Sequence, residues 1–275
     1  MTLPTFLGIG VPRAGTTWLH TLLAGHPDVY LPTQRKEIRF FDRYYERGME
    51  WYETFFCPPE DAAGYLAIGE ISPQYFYCGE CPGRISATLP AVKLLVMLRH
   101  PVDRAYSNYG FVVQRANFRG SFEEFLVTRP KALEKGFYSR HLDRYLRHFD
   151  RSQILALLFE EAMADGDKAR LALAGFLNIP LDGFPSSLGR VNPSTVPRFR
   201  TLSGLAVKTG RRLRRKNLES LVDMGGRLGM RRLLTKGRSL PRLDAGSRRR
   251  LSQRYADEFE ELESTLQIDL SSWRT

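Results

Sequence analysis

The stretch FLGIGVPRAGTTWLHTLL, residues 6–23, joins an apolar run to a loop between two glycines and then to a helical pattern. Gly10 and Gly15 have the spacing of the Walker sequence G-x-x-x-x-G-K-[ST], but Thr16 stands where that sequence has its lysine. Backbone N–H groups in such a loop converge on an anion at the positive end of the following helix. The stretch therefore predicts a phosphate cradle whose cation is Arg13. A plain strand-to-helix turn, with Thr16 and Thr17 as capping residues, is the alternative.

Apolar runs of strand length recur along the chain at 5–9, 65–68, 93–98 and 153–159. Most of them are nearly continuous rather than alternating, as is typical of strands buried on both faces. Helical patterns separate them, beginning with Thr16–Ala24. The sequence therefore predicts the α/β class, as a three-layer P-loop-like fold with a central parallel sheet flanked by helices. In such a sheet, ligands bind at the carboxyl ends of the strands.

The length of 275 residues favours a single domain, 1–275, with a basic excursion at about 201–243. Residues 201–250 hold 15 lysines and arginines against 3 acidic residues, whereas the other 225 residues hold 26 against 27. A stripe of apolar residues predicts a C-terminal helix at about 247–267 that docks on the domain; its members are Leu251, Tyr255, Phe259, Leu262 and Leu266.

The composition argues against membrane-spanning and secreted proteins. No apolar run approaches the roughly 20 residues of a membrane-spanning helix, and no charged segment followed by an apolar stretch indicates secretion. We therefore expect a cytoplasmic protein. Three cysteines are too few for a disulfide framework, so we expect Cys57, Cys78 and Cys81 to be reduced structural thiols, in preference to a metal or redox role for the CxxC pair.

Four segments together resemble one known family: PRAGTTWL at 12–19, KEIRFFD at 36–42, GEISPQYF at 69–76 and LLVMLRHPVDRAYSNY at 94–109. In order and spacing they resemble the sulfotransferases that use PAPS, 3′-phosphoadenosine 5′-phosphosulfate, and most of all the heparan-sulfate (glucosaminyl) branch. The likeness runs from about residue 5 to residue 180 and returns in LESTLQIDLSSW at the C-terminus.

The resemblance implies that the first loop binds the 5′-phosphosulfate of the donor; its residues would be Arg13, Ala14, Gly15, Thr16 and Thr17. Arg13 takes the place of a family lysine, which keeps the charge but not the ability to release a proton, since the pKa of arginine is too high. Trp18 matches a residue that stacks on adenine, although packing in the core is an equal alternative.

A second anchor is implied for the 3′-phosphate, which distinguishes PAPS from ATP. The resemblance assigns it to Arg99, at the end of the strand KLLVMLR, and to Ser107 in the following helix. Tyr138 resembles a position beside the donor. Arg198 and Arg200 fall where the family has a loop over the 3′-phosphate. The alternative is that both are solvated loop arginines.

For the acceptor, Glu37 matches the glutamate that acts as the base in the heparan-sulfate branch; the alternative is a solvated glutamate in a charged run. Glu70 is another candidate carboxylate. It precedes Ile71, where the family has a lysine that handles substrate, and this departure puts a sulfated glycan acceptor in doubt. His100 follows Arg99, and we expect it to be structural.

These residues predict a metal-independent enzyme that moves the sulfuryl group from PAPS to a hydroxyl, in preference to an amine, of a carbohydrate or small hydroxylated metabolite, and releases PAP. One rival is a small-molecule kinase that uses ATP and magnesium. Another is a non-catalytic protein that binds an acidic polymer through residues 205–250. We expect no specific nucleic-acid partner. Residues 205–240 could form a lid, an acceptor surface, a peripheral membrane contact or a solvated flap.

Overall fold

The computed structural model describes residues 2–116, 118–186, 195–196, 238–239 and 243–274. Its contacts group the chain into two compact units. The first comprises Met1–Pro101, Lys135–Val191 and Ser252–Thr275, and the second comprises Val102–Glu134 and Asn192–Leu251. The assignment of the whole chain to a single domain stays a prediction.

The first unit contains a parallel sheet of five strands in the order β2-β3-β1-β4-β5. The strands are β1 (Phe6–Gly10), β2 (Val29–Tyr30), β3 (Ala67–Ile71), β4 (Lys93–Leu98) and β5 (Ile154–Leu158). The predicted run at 93–98 coincides with β4, whereas the run at 65–68 covers only the start of β3. The apolar run stops before Gly69, although the strand continues through it. Gly69 pairs with Phe6 of β1, and a Cβ there would lie 2.5 Å from the Phe6 ring, so this position requires glycine.

The helices, in chain order, are α1 (Thr16–Ala24), α2 (Gly48–Glu53), α3 (Pro59–Ala62), α4 (Cys81–Thr88), α5 (Pro101–Ala116), α6 (Phe122–Thr128), α7 (Lys131–Glu134), α8 (Ser139–Leu146), α9 (Phe159–Ala164), α10 (Gly166–Leu177), α11 (Ala245–Ser252) and α12 (Ala256–Leu266). The α/β class with a parallel central sheet flanked by helices is therefore confirmed. Within the described ranges, none of these helices has the length and apolar character needed to cross a membrane.

Strand β4 shows why its sequence is continuously apolar. Leu95 and Met97 belong to one buried cluster, which also contains apolar side chains of α1 and α10. The intervening Leu94, Val96 and Leu98 are buried as well. Because alternate residues of a strand point to opposite faces, both faces of the sheet are covered at β4.

The second unit is described through α5, α6, α7, α11 and two short paired segments. Ser121 and Glu124 form a capping box at the start of α6. Arg248 of α11 forms an ion pair with Asp103 of α5, with 3.3 Å between Nη2 and Oδ2. Thr195–Val196 pairs antiparallel with Arg238–Ser239. Most of the predicted basic excursion lies outside the described residues.

The predicted C-terminal helix at about 247–267 is divided into two helices, α11 and α12. A 3₁₀ turn, Gln253–Tyr255, separates α11 from α12, and no proline or glycine in the sequence marks this break. Buried Glu258 of α12 accepts hydrogen bonds from the N–H groups of Tyr138 and Ser139, at 2.6 and 2.8 Å. Since these N–H groups begin α8, the carboxylate caps that helix and complements its dipole.

Trp273 is fully buried near the end of the chain. Its indole N–H donates to Glu160 Oε2 at 3.2 Å, and its ring lies 5.9 Å from the ring of His100. The backbone N–H of His100 donates to the other oxygen of Glu160, Oε1, at 2.9 Å. His100 therefore occupies a structural position, between the end of β4 and the C-terminal turn.

The expectation of reduced thiols is wrong for the CxxC pair. Cys78 and Cys81 form a disulfide, with 5.4 Å between their Cα atoms. Cys81 is the first residue of α4, and its N–H points at Cys78 Sγ at 3.1 Å. This tight turn brings the two sulfur atoms together. Cys57 is a free, buried thiol, as expected.

We predict that Trp273→Ala lowers the free energy of unfolding by about 3–5 kcal/mol, because it leaves a cavity and removes the hydrogen-bond donor of Glu160. Urea denaturation followed by far-ultraviolet circular dichroism measures the change. Leu171→Ala is the control, since this side chain is 63% exposed. Equal denaturation midpoints for the two variants would show that the C-terminal turn does not stabilise the domain.

Candidate active site

The loop between β1 and α1 has the close approaches that its glycines predict. A Cβ at Gly10 would lie 2.7 Å from Phe76 Cβ, and one at Gly15 would lie 2.6 Å from the Phe159 ring. Gly15 also has a φ of +91°, and Arg13 has a φ of +76°. Glycine is therefore required at Gly10 on steric grounds and at Gly15 on both steric and conformational grounds.

The start of α1 presents backbone donors without a side-chain cap. Gly15 is the N-cap residue and, having no side chain, makes no capping hydrogen bond. The first intrahelical bond is donated by Leu19 to the carbonyl of Gly15, so the N–H groups of Thr16, Thr17 and Trp18 precede it. The alternative in which the threonines cap the helix does not hold, because both lie inside it. Uncapped N–H groups at the start of a helix are a common binding site for anions, so the predicted phosphate site agrees with this geometry and stays a prediction.

Arg99 and Arg13 meet at the carboxyl edge of the sheet, where the sequence predicts them. Arg99 follows β4, and its Nη1 donates to the carbonyl oxygen of Arg13 at 3.2 Å. Its guanidinium carbon lies 4.5 Å from the centroid of the Phe159 ring. Its own carbonyl accepts a hydrogen bond from the hydroxyl of Tyr138 at 2.8 Å.

The remaining predicted donor residues differ in their exposure. Tyr138 is fully buried, and its hydroxyl holds the backbone at Arg99. Trp18 is half-buried and packs against the core cluster. Ala14 is fully buried, and its N–H donates to the carbonyl of Val11 at 3.1 Å. Donor binding by these residues stays a prediction.

Two further predicted donor residues lie outside the first unit or outside the described residues. Ser107 lies on α5, in the second unit. Arg198 lies outside the described residues. Their roles at the 3′-phosphate stay predictions that rest on the resemblance.

The segment 36–42, which carries Glu37, is fastened to the end of β3 through its backbone. The N–H of Ile38 donates to Glu70 Oε2 at 3.3 Å, and the N–H of Arg39 donates to Ser72 Oγ at 3.0 Å. A third bond runs from the N–H of Phe41 to the Tyr75 hydroxyl at 3.4 Å. The Glu37 side chain itself is exposed, so its carboxylate is accessible from solvent.

Glu70 is a buried acceptor rather than a second base. It is 1% exposed and accepts hydrogen bonds from the hydroxyls of Tyr52, Ser72 and Tyr75 at 2.9, 2.6 and 2.7 Å, besides the Ile38 N–H. Burial raises the pKa of the Glu70 carboxyl, while these hydrogen bonds oppose the shift. A carboxylate with four donors around it holds the neighbouring segments in place.

The sequence analysis missed the position of Lys36. Its Nζ donates to Thr17 Oγ1 at 2.8 Å, so an ammonium group lies at the start of α1. Burial lowers the pKa of Lys36, and the neighbouring Glu37 opposes the shift. The contact joins segments 19 residues apart, and no local pattern in the sequence signals it.

An arginine–aromatic cluster lies on the same stretch of chain. The guanidinium carbons of Arg35, Arg43 and Arg47 lie 4.8, 5.3 and 5.2 Å from the centroid of the Tyr44 ring. Arg47 also lies 4.9 Å from the Trp51 ring. Arg43 and Arg47 are exposed. Cations stacked on aromatic faces give a surface suited to polar, anionic or ring-shaped ligands.

This chain has a parallel sheet with an uncapped helix end and arginines at the carboxyl ends of its strands. These features are typical of the class of α/β proteins that bind phosphorylated ligands. The sulfotransferase domain family matches residues 3–238. The chain therefore belongs to the sulfotransferase family, which confirms the resemblance read from its four segments.

Known relatives agree with this assignment. Heparan sulfate glucosamine 3-O-sulfotransferase 6 of Homo sapiens is 36% identical over an alignment of 170 residues, which covers 59% of this chain and 48% of that protein. Bifunctional heparan sulfate N-deacetylase/N-sulfotransferase 3 of Homo sapiens is 30% identical over an alignment of 285 residues, gaps included, which covers 96% of this chain and 30% of that protein. This chain thus spans less than half the length of these relatives.

A solved structure is similar in fold over the whole chain. The sulfotransferase from Alicyclobacillus acidocaldarius superposes with a TM-score of 0.73, covers 100% of both chains and is 24% identical in sequence. This likeness confirms the P-loop-like sulfotransferase architecture.

We predict that Glu70→Gln loosens segment 36–42, because the amide N–H₂ would replace one carboxylate oxygen and face two of the four donors that the carboxylate accepts from. The free energy of unfolding should fall by about 1–3 kcal/mol. Amide hydrogen exchange at Ile38, Arg39 and Phe41 should quicken by about tenfold or more.

Two variants control this prediction. Tyr52→Phe removes one donor and leaves the other three, so it should have a smaller effect, and Glu60→Gln changes an exposed carboxylate on α3. Unchanged exchange at the three amides in Glu70→Gln would mean that the buried carboxylate does not hold this segment.

Proposed function

We propose that this chain transfers the sulfuryl group of PAPS to a hydroxyl of a carbohydrate or a small hydroxylated metabolite and releases PAP. The observation that carries the proposal is the contact between Arg99 and the loop of Arg13, which joins two cationic anchors at one edge of the sheet. A donor with phosphates at both its 5′ and 3′ ends requires two such anchors.

The residues present fit the 5′ end of this donor. The cradle has its glycines where a Cβ would clash, and the N–H groups of Thr16 and Thr17 have no side-chain cap. The side chains of Arg13 and Lys36 supply positive charge. For the 3′-phosphate, Arg99 would supply the charge, and the resemblance adds Ser107 and Arg198.

When bound, PAPS supplies an activated sulfuryl group. The exposed carboxylate of Glu37 would accept the proton of the acceptor hydroxyl, as the resemblance implies. Arg13 would stabilise negative charge on the 5′-phosphate, without giving up a proton. Glu70, Ser72 and Tyr75 would keep the backbone around Glu37 in a fixed position.

The acceptor class is inferred from the relatives and from the exposed arginine–aromatic cluster. One relative is named a heparan sulfate glucosamine 3-O-sulfotransferase and the other a heparan sulfate N-deacetylase/N-sulfotransferase, and the exposed guanidinium groups of Arg43 and Arg47 suit the polar or anionic groups of such an acceptor. Ile71, in place of the family lysine, argues for an acceptor that carries less sulfate than heparan sulfate. A hydroxyl rather than an amine acceptor stays our preference.

The cellular setting and the metal requirement form a separate part of the proposal. We infer a cytoplasmic enzyme that needs no metal, so its activity should be unchanged by a chelator such as EDTA. Among the described residues, no group of three or more histidine, cysteine, aspartate or glutamate side chains is placed to hold a metal ion. The suggested membrane contact at 205–240 lies almost wholly outside the described residues.

We predict that Arg99→Ala weakens the binding of adenosine 3′,5′-bisphosphate by about 10- to 100-fold, because a charge-assisted contact to the 3′-phosphate is lost. Binding of adenosine 5′-monophosphate should weaken much less, since this nucleotide lacks the 3′-phosphate. Isothermal titration calorimetry measures both affinities, and Arg147→Ala, which removes an exposed arginine beyond α8, is the control.

Calorimetry on the unmodified protein also separates the rival functions. A kinase would bind ATP with magnesium in preference to adenosine 3′,5′-bisphosphate. A polymer-binding protein would bind neither nucleotide. Either result would overturn the proposal, whereas tight binding of the bisphosphate justifies a screen of acceptors with sulfur-labelled PAPS.

A further inference from the structure

We propose that Lys36 is a further catalytic residue of this enzyme, whose ammonium group binds the 5′-phosphate end of the donor and donates to the oxygen that leaves with the phosphate. The inference rests on the proposed function, and it goes beyond it by assigning a role to a lysine outside the phosphate loop. The enzyme would thereby have a lysine at the start of α1, although Thr16 occupies the position of the Walker lysine.

The placement of Lys36 carries the proposal. Its Nζ lies 2.8 Å from Thr17 Oγ1, and Thr17 is the second residue of α1, where backbone N–H groups face the anion site. An ammonium group has three N–H donors, and the Thr17 hydroxyl oxygen accepts a hydrogen bond from one of them. The structure shows no ion pair for Lys36 in the parts of the chain that it describes. Two N–H bonds are thus available for a ligand at this helix end.

Lys36 and Arg13 differ in what they can do for a leaving phosphate. Both place positive charge at the loop, but only a lysine can release a proton in the range of pH where proteins are stable. Burial lowers the pKa of Lys36, which eases that release. Arg13 lies within the loop, whereas Lys36 reaches the first turn of α1 from the segment after β2.

The charged and titratable groups around Lys36 are compatible with this role. On its own segment, Glu37 is adjacent and favours the ammonium form. On α1, burial and the charge of Lys36 together lower the pKa of His20 to about 4. His20 is therefore neutral at pH 7 and does not compete for the anion, so the ammonium of Lys36 is the charge that this part of α1 faces.

The proposed step balances without any further reagent. A lone pair of the acceptor oxygen forms the new O–S bond, and the bond between sulfur and the bridging phosphate oxygen breaks, leaving its electrons on the phosphate. The acceptor proton passes to Glu37. Lys36 donates a hydrogen bond, or its proton, to the oxygen that departs, and exchange with water restores both side chains. Glu37 and Lys36, which are adjacent in the sequence, would thus act on the incoming and the leaving oxygen, respectively.

The test uses the full chain with Lys36→Met, Lys36→Arg and, as the control, Lys168→Met, which changes an exposed lysine of α10. The first readout does not need activity. Phosphorus NMR follows the titration of the 5′-phosphate of bound adenosine 3′,5′-bisphosphate. In the unmodified protein its pKa should lie below the value of about 6 for a free phosphate monoester, and Lys36→Met should raise it by about one unit.

The second readout is the pH profile of sulfuryl transfer. Lys36→Met should lower kcat by about 100-fold or more. Lys36→Arg should keep the affinity for adenosine 3′,5′-bisphosphate within about threefold but lose the fall in kcat at high pH, because arginine does not deprotonate there. Lys168→Met should match the unmodified protein in both readouts.

The outcomes separate this inference from the proposed function. If the unmodified protein does not bind adenosine 3′,5′-bisphosphate, the proposed function fails. If it does bind, and Lys36→Met leaves both the phosphorus titration and kcat unchanged, only the role of Lys36 is overturned. Should Lys36→Met fail to fold, the retained affinity and altered pH profile of Lys36→Arg decide the question alone.

Discussion

A hydrogen bond from Nη1 of Arg99 to the carbonyl oxygen of Arg13 joins the carboxyl ends of the adjacent strands β1 and β4. Everything proposed for the donor depends on this contact, because it places a cation from one strand end against the anion loop of the other. Two further hydrogen bonds fix the backbone that carries this contact. Tyr138 holds the carbonyl of Arg99, and Glu258 of α12 holds the backbone of Tyr138. The C-terminal helix therefore stabilises the site from outside it.

The acceptor side follows a different physical principle. Its exposed carboxylate, Glu37, lies on a segment with little regular structure, so its position depends on bonds from backbone N–H groups to a buried carboxylate and two hydroxyls. Burying Glu70 is costly, and only its full set of donors makes the arrangement stable. Fixing an irregular segment to the end of β3 in this way keeps the Glu37 carboxylate exposed while its backbone is held in position.

Sequence reasoning succeeded where the signal is local. The apolar run 93–98 and the helix Thr16–Ala24 were predicted with their observed limits, because both faces of β4 are buried and because Gly15 and Gly25 bound the helix. It failed where structure depends on distant partners. The two-residue strand β2 is too short to leave a pattern. The break at Gln253–Tyr255 has no breaker residue.

Within the site, the same division holds. The loop glycines and the position of Arg99 at a strand end follow from spacing alone, so they could be predicted. The hydrogen bond between Lys36 and Thr17 could not, because it links two segments whose distance is set by the tertiary fold. The contacts of the buried Tyr138 ring, which lies 6.2 Å from the ring of Phe76 and 6.4 Å from that of Trp273, likewise join residues far apart in the sequence.

A crystal structure with bound adenosine 3′,5′-bisphosphate tests the central claim most directly. The account predicts the 5′-phosphate at the N–H groups of Thr16 and Thr17, within hydrogen-bond distance of Lys36 Nζ, and the 3′-phosphate at the guanidinium of Arg99. A nucleotide bound with its two phosphates away from the carboxyl ends of β1 and β4 would contradict it.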